Sequence, residues 1–258
     1  MKQNIGFIGA GYMGYGIAYN LIKNNNLKVI VHKNRVPIDK LIGLGANEVK
    51  NYNELCSDLD CLFMCVTNTS IAKKIAEIVK NKLPKKCLVI DITTHNENGS
   101  IEMEKILKFN DINYLESPVM GGPIQAEEGV LGAIVGGSKE NYELAKQYLK
   151  SFCKNIIHFG PIGEGAKAKL ISNFLSLGTA TFVIETIKAA EYLKVDLKKL
   201  YEVVKLGSGN SGALDRIASK AVEGNYKGYI FSVENTMKDL NYIHEMIKDI
   251  PNSEKLIN

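Results

Sequence analysis

The chain has 258 residues, of which 45% are hydrophobic, so it is long enough for one large domain or two of ordinary size. Its formal net charge of +4 is small for a chain with 23% charged residues. No block of like charge indicates a nucleic-acid or membrane surface. We therefore expect two domains, no nucleic-acid partner and no membrane partner.

The five cysteines are odd in number and lie inside apolar runs. They form no CxxC pair and no spacing with histidine that would bind a metal, and three of the four histidines are isolated. Reduced core thiols are the simplest explanation, because paired cysteines belong to oxidising compartments. The pattern predicts a cytoplasmic protein and no metal ion.

Short apolar runs alternate with longer amphipathic runs through the first 160 residues, which predicts βαβ units and a mostly parallel sheet. The predicted strands are Ile5–Ile8, Lys28–Val31, Asp60–Val66, Leu88–Asp91, Asn113–Glu116, Leu131–Val135 and Ile156–Phe159. The predicted helices are Tyr12–Lys23, Ser70–Lys80, Ser100–Phe109 and Lys139–Phe152. After Pro161 the pattern is helical, beginning with Lys169–Leu193. We expect an α/β domain over residues 1–161 and an all-helical domain over residues 162–258.

Residues 3 to 22 carry no charge and have the length of a short membrane or signal segment. Glycine is frequent in this segment, only Lys2 precedes it as a basic residue, and no small-residue cleavage site ends it. The segment is therefore interpreted as a strand, a turn and a helix rather than as a membrane span.

A GxGxxG motif, Gly9-Ala10-Gly11-Tyr12-Met13-Gly14, follows the first predicted strand and opens the first predicted helix. In a dinucleotide-binding turn, Gly9 would form the tight turn, Gly11 would let the backbone approach the pyrophosphate, and Gly14 would let helix and strand pack closely. The helix N-terminus would offer free N–H groups to the phosphates. The motif in this context predicts a Rossmann-type domain that binds NAD or NADP.

The residues after the second predicted strand bear on the choice of cofactor. An NAD enzyme usually has an acidic residue there, on the ribose 2′-hydroxyl. This chain has Lys33, Asn34 and Arg35, which favour a 2′-phosphate. We expect NADP rather than NAD, although an ordinary solvated basic turn would have the same sequence.

The stretch Tyr201 to Lys205 has the YxxxK spacing of short-chain dehydrogenases. That class requires a GxxxGxG motif, which would need glycine at Ala10, and its Tyr–Lys pair follows a sheet strand. We interpret Tyr201 and Lys205 as neighbours on a helix surface.

Four stretches resemble the β-hydroxyacid dehydrogenase family, which includes 3-hydroxyisobutyrate dehydrogenase and the glyoxylate/succinic semialdehyde reductases. They are GFIGAGYMG at 6–14, DITTHNE at 91–97, SPVMGGPIQAEEGVLGAIVGG at 117–137, and GEGAKAKLISN at 163–173. The resemblance implies an N-terminal cofactor domain, a helical second domain that builds a homodimer or homotetramer, and a catalytic lysine. The implied substrate is small and bears a carboxylate.

By position in these motifs, Thr94 resembles the residue beside the nicotinamide, and Val66 and Thr67 resemble the loop that passes the cofactor. A strand-end cap would be another explanation for Thr94. Met120, Gly121 and Gly122 match the place where the family usually has Ser-Gly-Gly around the substrate carboxylate. Gly121 and Gly122 keep the backbone N–H groups, whereas Met120 lacks the hydroxyl.

Further departures concern the loop of DITTHNE and the end of the chain. The family commonly has proline at the position of Glu97, and it usually continues for several helices beyond the motif Lys238-Asp239-Leu240. We expect either a helical domain that is shortened in this lineage or a sequence that is incomplete. Phe231 and Asp239 match positions that line the substrate pocket in the glyoxylate-reductase branch.

Lys167 and Lys169 lie two residues apart, so they point about 200° apart on a helix and cannot both face one site. Asn173 is one turn beyond Lys169, whereas Lys167 is in line with Ile171 and Phe174. The family pattern GxGxxxKxxxN agrees. We predict Lys169 as the acid/base and Asn173 as its catalytic partner.

The chemistry expected of Lys169 is that of a buried cation. Such a cation stabilises charge that develops on a carbonyl oxygen and delivers the proton that accompanies hydride transfer. His95 is interpreted as a loop side chain near the site. The sequence predicts an NADP(H)-dependent dehydrogenase or reductase of a small β-hydroxy acid; the alternatives are an imine reductase, in which the lysine would be replaced, and a catalytically weak regulatory protein that binds NADP(H).

Overall fold

The computed structural model describes residues 2–30 and 34–251. Its strands are β1 (Asn4–Ile8), β2 (Asn26–Ile30), β3 (Asn47–Val49), β4 (Cys61–Met64), β5 (Leu88–Asp91), β6 (Asn113–Glu116), β7 (Val119–Met120), β8 (Leu131–Gly136) and β9 (Cys153–Gly160). Its helices are α1 (Tyr12–Leu21), α2 (Arg35–Gly43), α3 (Tyr52–Cys56), α4 (Thr69–Val79), α5 (Glu97–Lys108), α6 (Pro123–Glu128), α7 (Lys139–Leu149), α8 (Glu164–Tyr192), α9 (Leu197–Val204), α10 (Gly212–Ala221) and α11 (Val233–Ile247).

The strands form one sheet in the order β3-β2-β1-β4-β5-β6-β8-β7, with β9 paired to β8. The first six positions are parallel, and β8 runs antiparallel to β6 and β7. From β1 the chain moves outward to β2 and β3, and from β4 it moves outward on the other side. The strand order therefore reverses between β1 and β4, where a doubly wound sheet binds its ligand at the carboxyl ends of the strands.

Alternating side chains of the central strands build a core on each face of the sheet. Phe7 and Phe63 stack on one face, where α1 and α7 cover them, and Phe63 also meets Phe152 edge to face. Leu62 and Met64 lie on the other face, beneath α4 and α5. This arrangement of helices on both faces confirms the predicted Rossmann-type fold.

The predicted β1, β5 and β6 have the observed bounds, apart from one residue at the start of β1, and the other predicted strands differ from the observed ones by one to three residues at one or both ends. Val31, the predicted end of β2, lies outside the described residues. Prediction missed two short strands, β3 and β7, and three short helices, α2, α3 and α6. Residues 3 to 22 form β1 and α1, as interpreted from their glycines.

The chain divides into two compact units, one ending at Lys169 and the other starting at Leu170. The division falls inside α8, so the predicted domain limit at residue 161 stays a prediction. The second unit is helical, and its small core joins α8 to α10 through residues Val183, Ile187, Leu214, Ala218 and Ala221. Leu197, Tyr201 and Val204 of α9 pack against this core as partly buried side chains.

Helix α8 has 29 residues, begins five residues before its predicted start and ends one residue before its predicted end. Its length and composition would let it cross a membrane, but a long helix of a globular protein has the same features. Tyr201 and Lys205 lie on and just after α9, with the Lys205 amino group 5.0 Å from the Tyr201 ring centre. This contact agrees with their interpretation as helix neighbours.

Candidate active site

The glycine motif forms the turn between β1 and α1. Gly9 has a φ of +93°, and a Cβ there would collide with the carbonyl of Cys65. A Cβ on Gly14 would collide with the carbonyl of Gly9, so both glycines are required by close backbone packing. Gly11 is different, because no described atom lies within 4 Å of where its Cβ would be. The open space at Gly11 would let a pyrophosphate approach the backbone, as predicted for this motif.

The first turn of α1 supplies donors for such a group. Gly11 caps the helix without any side-chain hydrogen bond to the first-turn amides. Tyr12, 82% exposed, and Met13, half-buried, open the helix. The N–H groups and the positive end of the helix dipole suit an anionic diphosphate, so the residues present fit a dinucleotide.

Two more loops meet this turn at the carboxyl edge of the sheet. The Val66 amide after β4 donates to the Thr93 hydroxyl after β5, at 3.2 Å. The Cys65 amide donates to the carbonyl of Ile8, at 2.9 Å. The loops that contain the predicted cofactor residues Val66, Thr67 and Thr94 are therefore tied to each other and to β1.

A buried polar network supports the Thr93–Thr94 loop. Asp91 ends β5 and accepts hydrogen bonds from the Thr93 amide and from Nε2 of His95, each at 2.9 Å. The other ring nitrogen of His95 lies 2.9 Å from the Thr69 hydroxyl at the start of α4. His95 is thus a buried loop side chain that links the end of β5 to the start of α4. These structural hydrogen bonds account for its burial without a catalytic role.

Cys65 adjoins the glycine turn but is not set up as a nucleophile. Burial raises the pKa of its thiol to about 12, so the group stays protonated at neutral pH. The five cysteines form no disulfide, as predicted, and four of them are buried.

At the end of β2, Asn34 caps α2, and its side-chain oxygen accepts from the Val36 amide. The Arg35 guanidinium, half exposed, pairs with Glu48 at 2.5 Å and with Asp39 at 2.6 Å. The predicted cation is therefore present but already shared between two carboxylates. Lys33 lies outside the described residues.

The two lysines of α8 have different surroundings. Lys169 is 8% exposed, and its amino group donates to the Val119 carbonyl at 2.8 Å and lies 3.4 Å from the Met120 sulfur. Lys167 is paired with Glu164 and Glu97. The hydrogen bond to Glu164 raises the pKa of Lys167, which keeps that lysine charged. The structure therefore brings Lys169, not Lys167, to the segment predicted to bind substrate.

The glycines after Met120 form the turn into α6. Gly121 has a φ of +117°, and a Cβ there would crowd Leu131. The Gly122 amide already donates to the side-chain oxygen of Gln125, at 2.9 Å. A substrate carboxylate at Gly121–Gly122 would have to share this position with Gln125, a residue that sequence reasoning missed. Its signal in the sequence was its place three residues after Gly122, the glycine whose amide it accepts from.

In the second unit, Asn173 and Asp239 are both buried, and the Asn173 amide nitrogen donates to Asp239 at 2.7 Å. The two predicted residues are therefore partners across α8 and α11. Phe231 is 38% exposed and lies against the Tyr229 ring.

Two family profiles match nearly the whole chain. Residues 4–160 match the NAD binding domain of 6-phosphogluconate dehydrogenase, and residues 163–253 match a region described as NAD-binding in NADP-dependent 3-hydroxyisobutyrate dehydrogenase.

Relatives in sequence and in structure agree with these profiles. An uncharacterized oxidoreductase of Synechocystis is 28% identical over 96% of this chain and 87% of its own length. The 2-(hydroxymethyl)glutarate dehydrogenase of Eubacterium barkeri is 25% identical over 95% of this chain and 82% of its own. The crystal structure of a 3-hydroxyisobutyrate dehydrogenase from Salmonella typhimurium superposes with a TM-score of 0.90 at 22% identity, covering 100% of this chain and 92% of that one, which shows a shared fold.

Proposed function

Given that the chain belongs to the NAD(P)-dependent hydroxyacid dehydrogenases of the 3-hydroxyisobutyrate dehydrogenase type, we propose that it interconverts a small β-hydroxy acid and its semialdehyde or 2-oxo acid, using NADP(H). One observation carries the proposal. The amino group of Lys169 is buried and bonded to the carbonyl of Val119, two residues before the Gly121–Gly122 turn. A buried cation beside the Gly121–Gly122 turn suits a substrate that carries both a carbonyl and a carboxylate.

The reaction needs a hydride at carbon and a proton at oxygen. When bound, the nicotinamide cofactor supplies or accepts the hydride. Lys169, as an ammonium, donates a hydrogen bond to the carbonyl oxygen of the substrate and passes its proton there as negative charge develops. In the oxidative direction the neutral amine of Lys169 takes the proton from the hydroxyl group.

Asn173 lies one turn after Lys169 on the same helix, and we assign it the part of an orienting residue. Its amide nitrogen donates to Asp239, which fixes the amide with its oxygen turned away from that carboxylate. Asp239 is buried, and a buried carboxyl group is stabilised by amide or ammonium neighbours rather than by a second carboxylate. We therefore assign Asp239 to holding Asn173, and Phe231 to the apolar lining predicted from the family.

The proposal is tested with purified enzyme, NADPH and a panel of glyoxylate, succinic semialdehyde, tartronate semialdehyde and methylmalonate semialdehyde. We expect oxidation of NADPH with at least one member, and a loss of kcat of about 10²- to 10⁴-fold in Lys169→Ala, because a general acid contributes that much. The matched control is Lys167→Ala, which removes a partly exposed lysine paired with Glu164 and Glu97 and should change kcat by about twofold or less.

Three outcomes would contradict the assignment. An equal loss in both lysine variants would show that Lys169 is not the specific acid. Tight binding of NADPH without turnover of any substrate would favour the regulatory binding protein. Reduction of cyclic imines in place of the aldehydes would favour the imine reductase.

The choice of NADP rests on Asn34, Arg35 and the positive character of that turn. A 2′-phosphate would replace one of the carboxylates that hold the guanidinium, and it is a stronger bidentate partner. We expect Arg35→Asp to raise the KM for NADPH about tenfold or more and to leave the KM for NADH nearly unchanged, since one charge-assisted pair contributes about 1.5–3 kcal/mol.

The control for this change is Lys40→Asp, which alters the charge of the same helix by the same amount without touching Arg35. Both variants are measured by initial rates with each cofactor. An unchanged NADPH-to-NADH ratio of KM values in Arg35→Asp would refute the assignment of NADP.

We also propose a homodimer, or a homotetramer built from it, in the cytoplasm. On α8, the exposed apolar residues Ile171, Leu175 and Phe182 lie on one face of the helix. An apolar stripe of this kind is typical of an interface. The absence of disulfides among the five cysteines supports a reducing compartment.

A further inference from the structure

The carboxyl group of Glu116, at the end of β6, is fully buried and serves the start of α8. One oxygen, Oε1, accepts three backbone hydrogen bonds, from Gly163 at 2.8 Å, Gly165 at 2.9 Å and Ala166 at 3.2 Å. The amides of the first turn of a helix have no partner within the helix. A side chain from a distant strand here satisfies three such donors with a single atom.

The surrounding backbone is shaped to admit this carboxyl. A Cβ on Gly136 would collide with Oε1 of Glu116, and a Cβ on Gly165 would lie 3.0 Å from the same atom and 2.8 Å from the Gly136 amide. Gly163 has a φ of +100°, which turns the chain into the helix. Two glycines, Gly136 and Gly165, thus leave room for one buried side chain.

The same segment also holds the lysine. Val119, whose carbonyl accepts from the Lys169 amino group, lies three residues after Glu116. On α8, Lys169 follows Ala166 by three residues and Gly165 by four, so it lies on the helix face that the carboxyl grips. The segment from Glu116 to Val119 therefore binds the first turn of α8 at one end and the lysine side chain at the other.

We propose that Glu116 is a positioning residue for Lys169: by holding the first turn of α8, its carboxyl fixes the rotation and depth at which the helix presents the lysine. The inference rests on the proposed function only for the role of the lysine. Burial raises the pKa of Glu116, whereas its bonds from Gly163 and Ala166 lower it. The acceptor oxygen, which glutamine also has, is what the helix requires.

The first arm of the test is kinetic. In Glu116→Asp the side chain is one methylene shorter and loses its reach; we expect kcat to fall about tenfold or more, while the KM for cofactor stays within about twofold, because a small misplacement of a catalytic group is costly. Glu116→Gln, which keeps the length of the side chain and the acceptor oxygen, should retain most of the wild-type kcat. Ser138→Ala is the matched control, because it removes the side-chain cap of a different helix, α7, on the same sheet.

A double-mutant cycle separates positioning from general stability. If Glu116 acts through Lys169, Glu116→Asp should change the residual rate of the Lys169→Ala enzyme by less than about twofold. The same loss of kcat in both backgrounds, or an equal loss in Ser138→Ala, would overturn the proposal. If Glu116→Asp does not fold, Gly165→Ala displaces the same carboxyl and replaces it in the cycle.

The second arm uses the enzyme without substrate, so its outcome does not depend on the proposed function. Lysine acetylation by acetic anhydride, followed by mass spectrometry, should label Lys169 at least threefold faster in Glu116→Asp, relative to exposed Lys188 on the same helix. Amide hydrogen exchange at Gly163, Gly165 and Ala166 should accelerate as well. Unchanged labelling and exchange would overturn the positioning role of Glu116 even if the wild type is fully active. Accelerated labelling in an enzyme inactive on every substrate would support the positioning role of Glu116 and reject the proposed reaction.

Discussion

Met120 stands where related enzymes usually carry serine, and its sulfur lies 3.4 Å from the Lys169 amino group. A thioether is a weak acceptor and cannot donate a hydrogen bond to a carboxylate. The neighbouring Gly122 amide is engaged by Gln125. The carboxylate site therefore has one backbone donor fewer than the glycine pair alone implies.

Met120→Ser should improve the binding of small carboxylate substrates. The hydroxyl adds one hydrogen bond to a charged group, worth about 1.5–3 kcal/mol, so we expect the KM for a semialdehyde acid to fall about tenfold with a smaller change in kcat. Met120→Leu is the control, because it removes the sulfur and keeps an apolar side chain. A fall in KM of the same size in Met120→Leu would show that the hydroxyl is not the cause.

Sequence reasoning at single residues succeeded where a helix period was enough and failed where loop geometry or helix packing supplies the partner. The spacing of Lys167 and Lys169 separated the two side chains correctly, because the angle between helix positions is local geometry. The partners of Asn173 and His95 are Asp239 and Asp91. No local rule pairs Asn173 with a residue 66 positions away, and only the packing of α11 on α8 brings them together.

The β1–α1 turn permits a test at the level of an element. Gly11 has φ −80° and ψ −152°, a conformation open to alanine, and its Cβ would meet no described atom. Gly11→Ala should therefore fold with an unchanged melting temperature but bind NADPH about tenfold or more weakly, because the methyl group keeps the pyrophosphate from the backbone. Calorimetric titration measures the affinity.

Two other glycine variants serve as controls for this result, one for affinity and one for stability. Gly43→Ala, near no described atom on α2, should leave affinity unchanged. Gly14→Ala should lower the melting temperature, because its Cβ collides with the Gly9 carbonyl. If Gly11→Ala bound NADPH as tightly as Gly43→Ala does, the pyrophosphate would not lie at this turn.

The main strands could be predicted because they are continuous buried apolar runs, and the main helices because their apolar residues recur with the helix period. The runs of β1, β4 and β5 are apolar on both faces, as parallel strands covered by helices must be. The missed strands β3 and β7 have three and two residues, too few to form a period, and β3 is an edge strand. The missed α6 begins at the Gly122–Pro123 turn and has six residues, and its register depends on Gln125.

At the scale of the whole molecule, the buried core of the helical unit is small compared with the number of apolar side chains that the unit exposes. Five residues form its buried cluster, whereas Leu175 is 72% and Phe182 is 77% exposed on α8. Exposing two large apolar side chains on one helix face is unfavourable in a monomer, since each would contribute about 1.5–3 kcal/mol on burial. In the homodimer proposed above, a second copy of the chain would cover this face of α8.

We expect Phe182→Lys to convert the proposed dimer into a monomer, because a charge placed in the centre of an apolar interface is costly to bury. Sedimentation velocity measures the change as a halving of mass at micromolar concentration, with the helix content unchanged by circular dichroism. Phe109→Lys is the matched control, since Phe109 is 87% exposed on the first unit and should leave the mass of the dimer intact. A wild-type protein that sediments as a monomer, or a Phe182→Lys variant that remains dimeric, would contradict an interface on this face of α8.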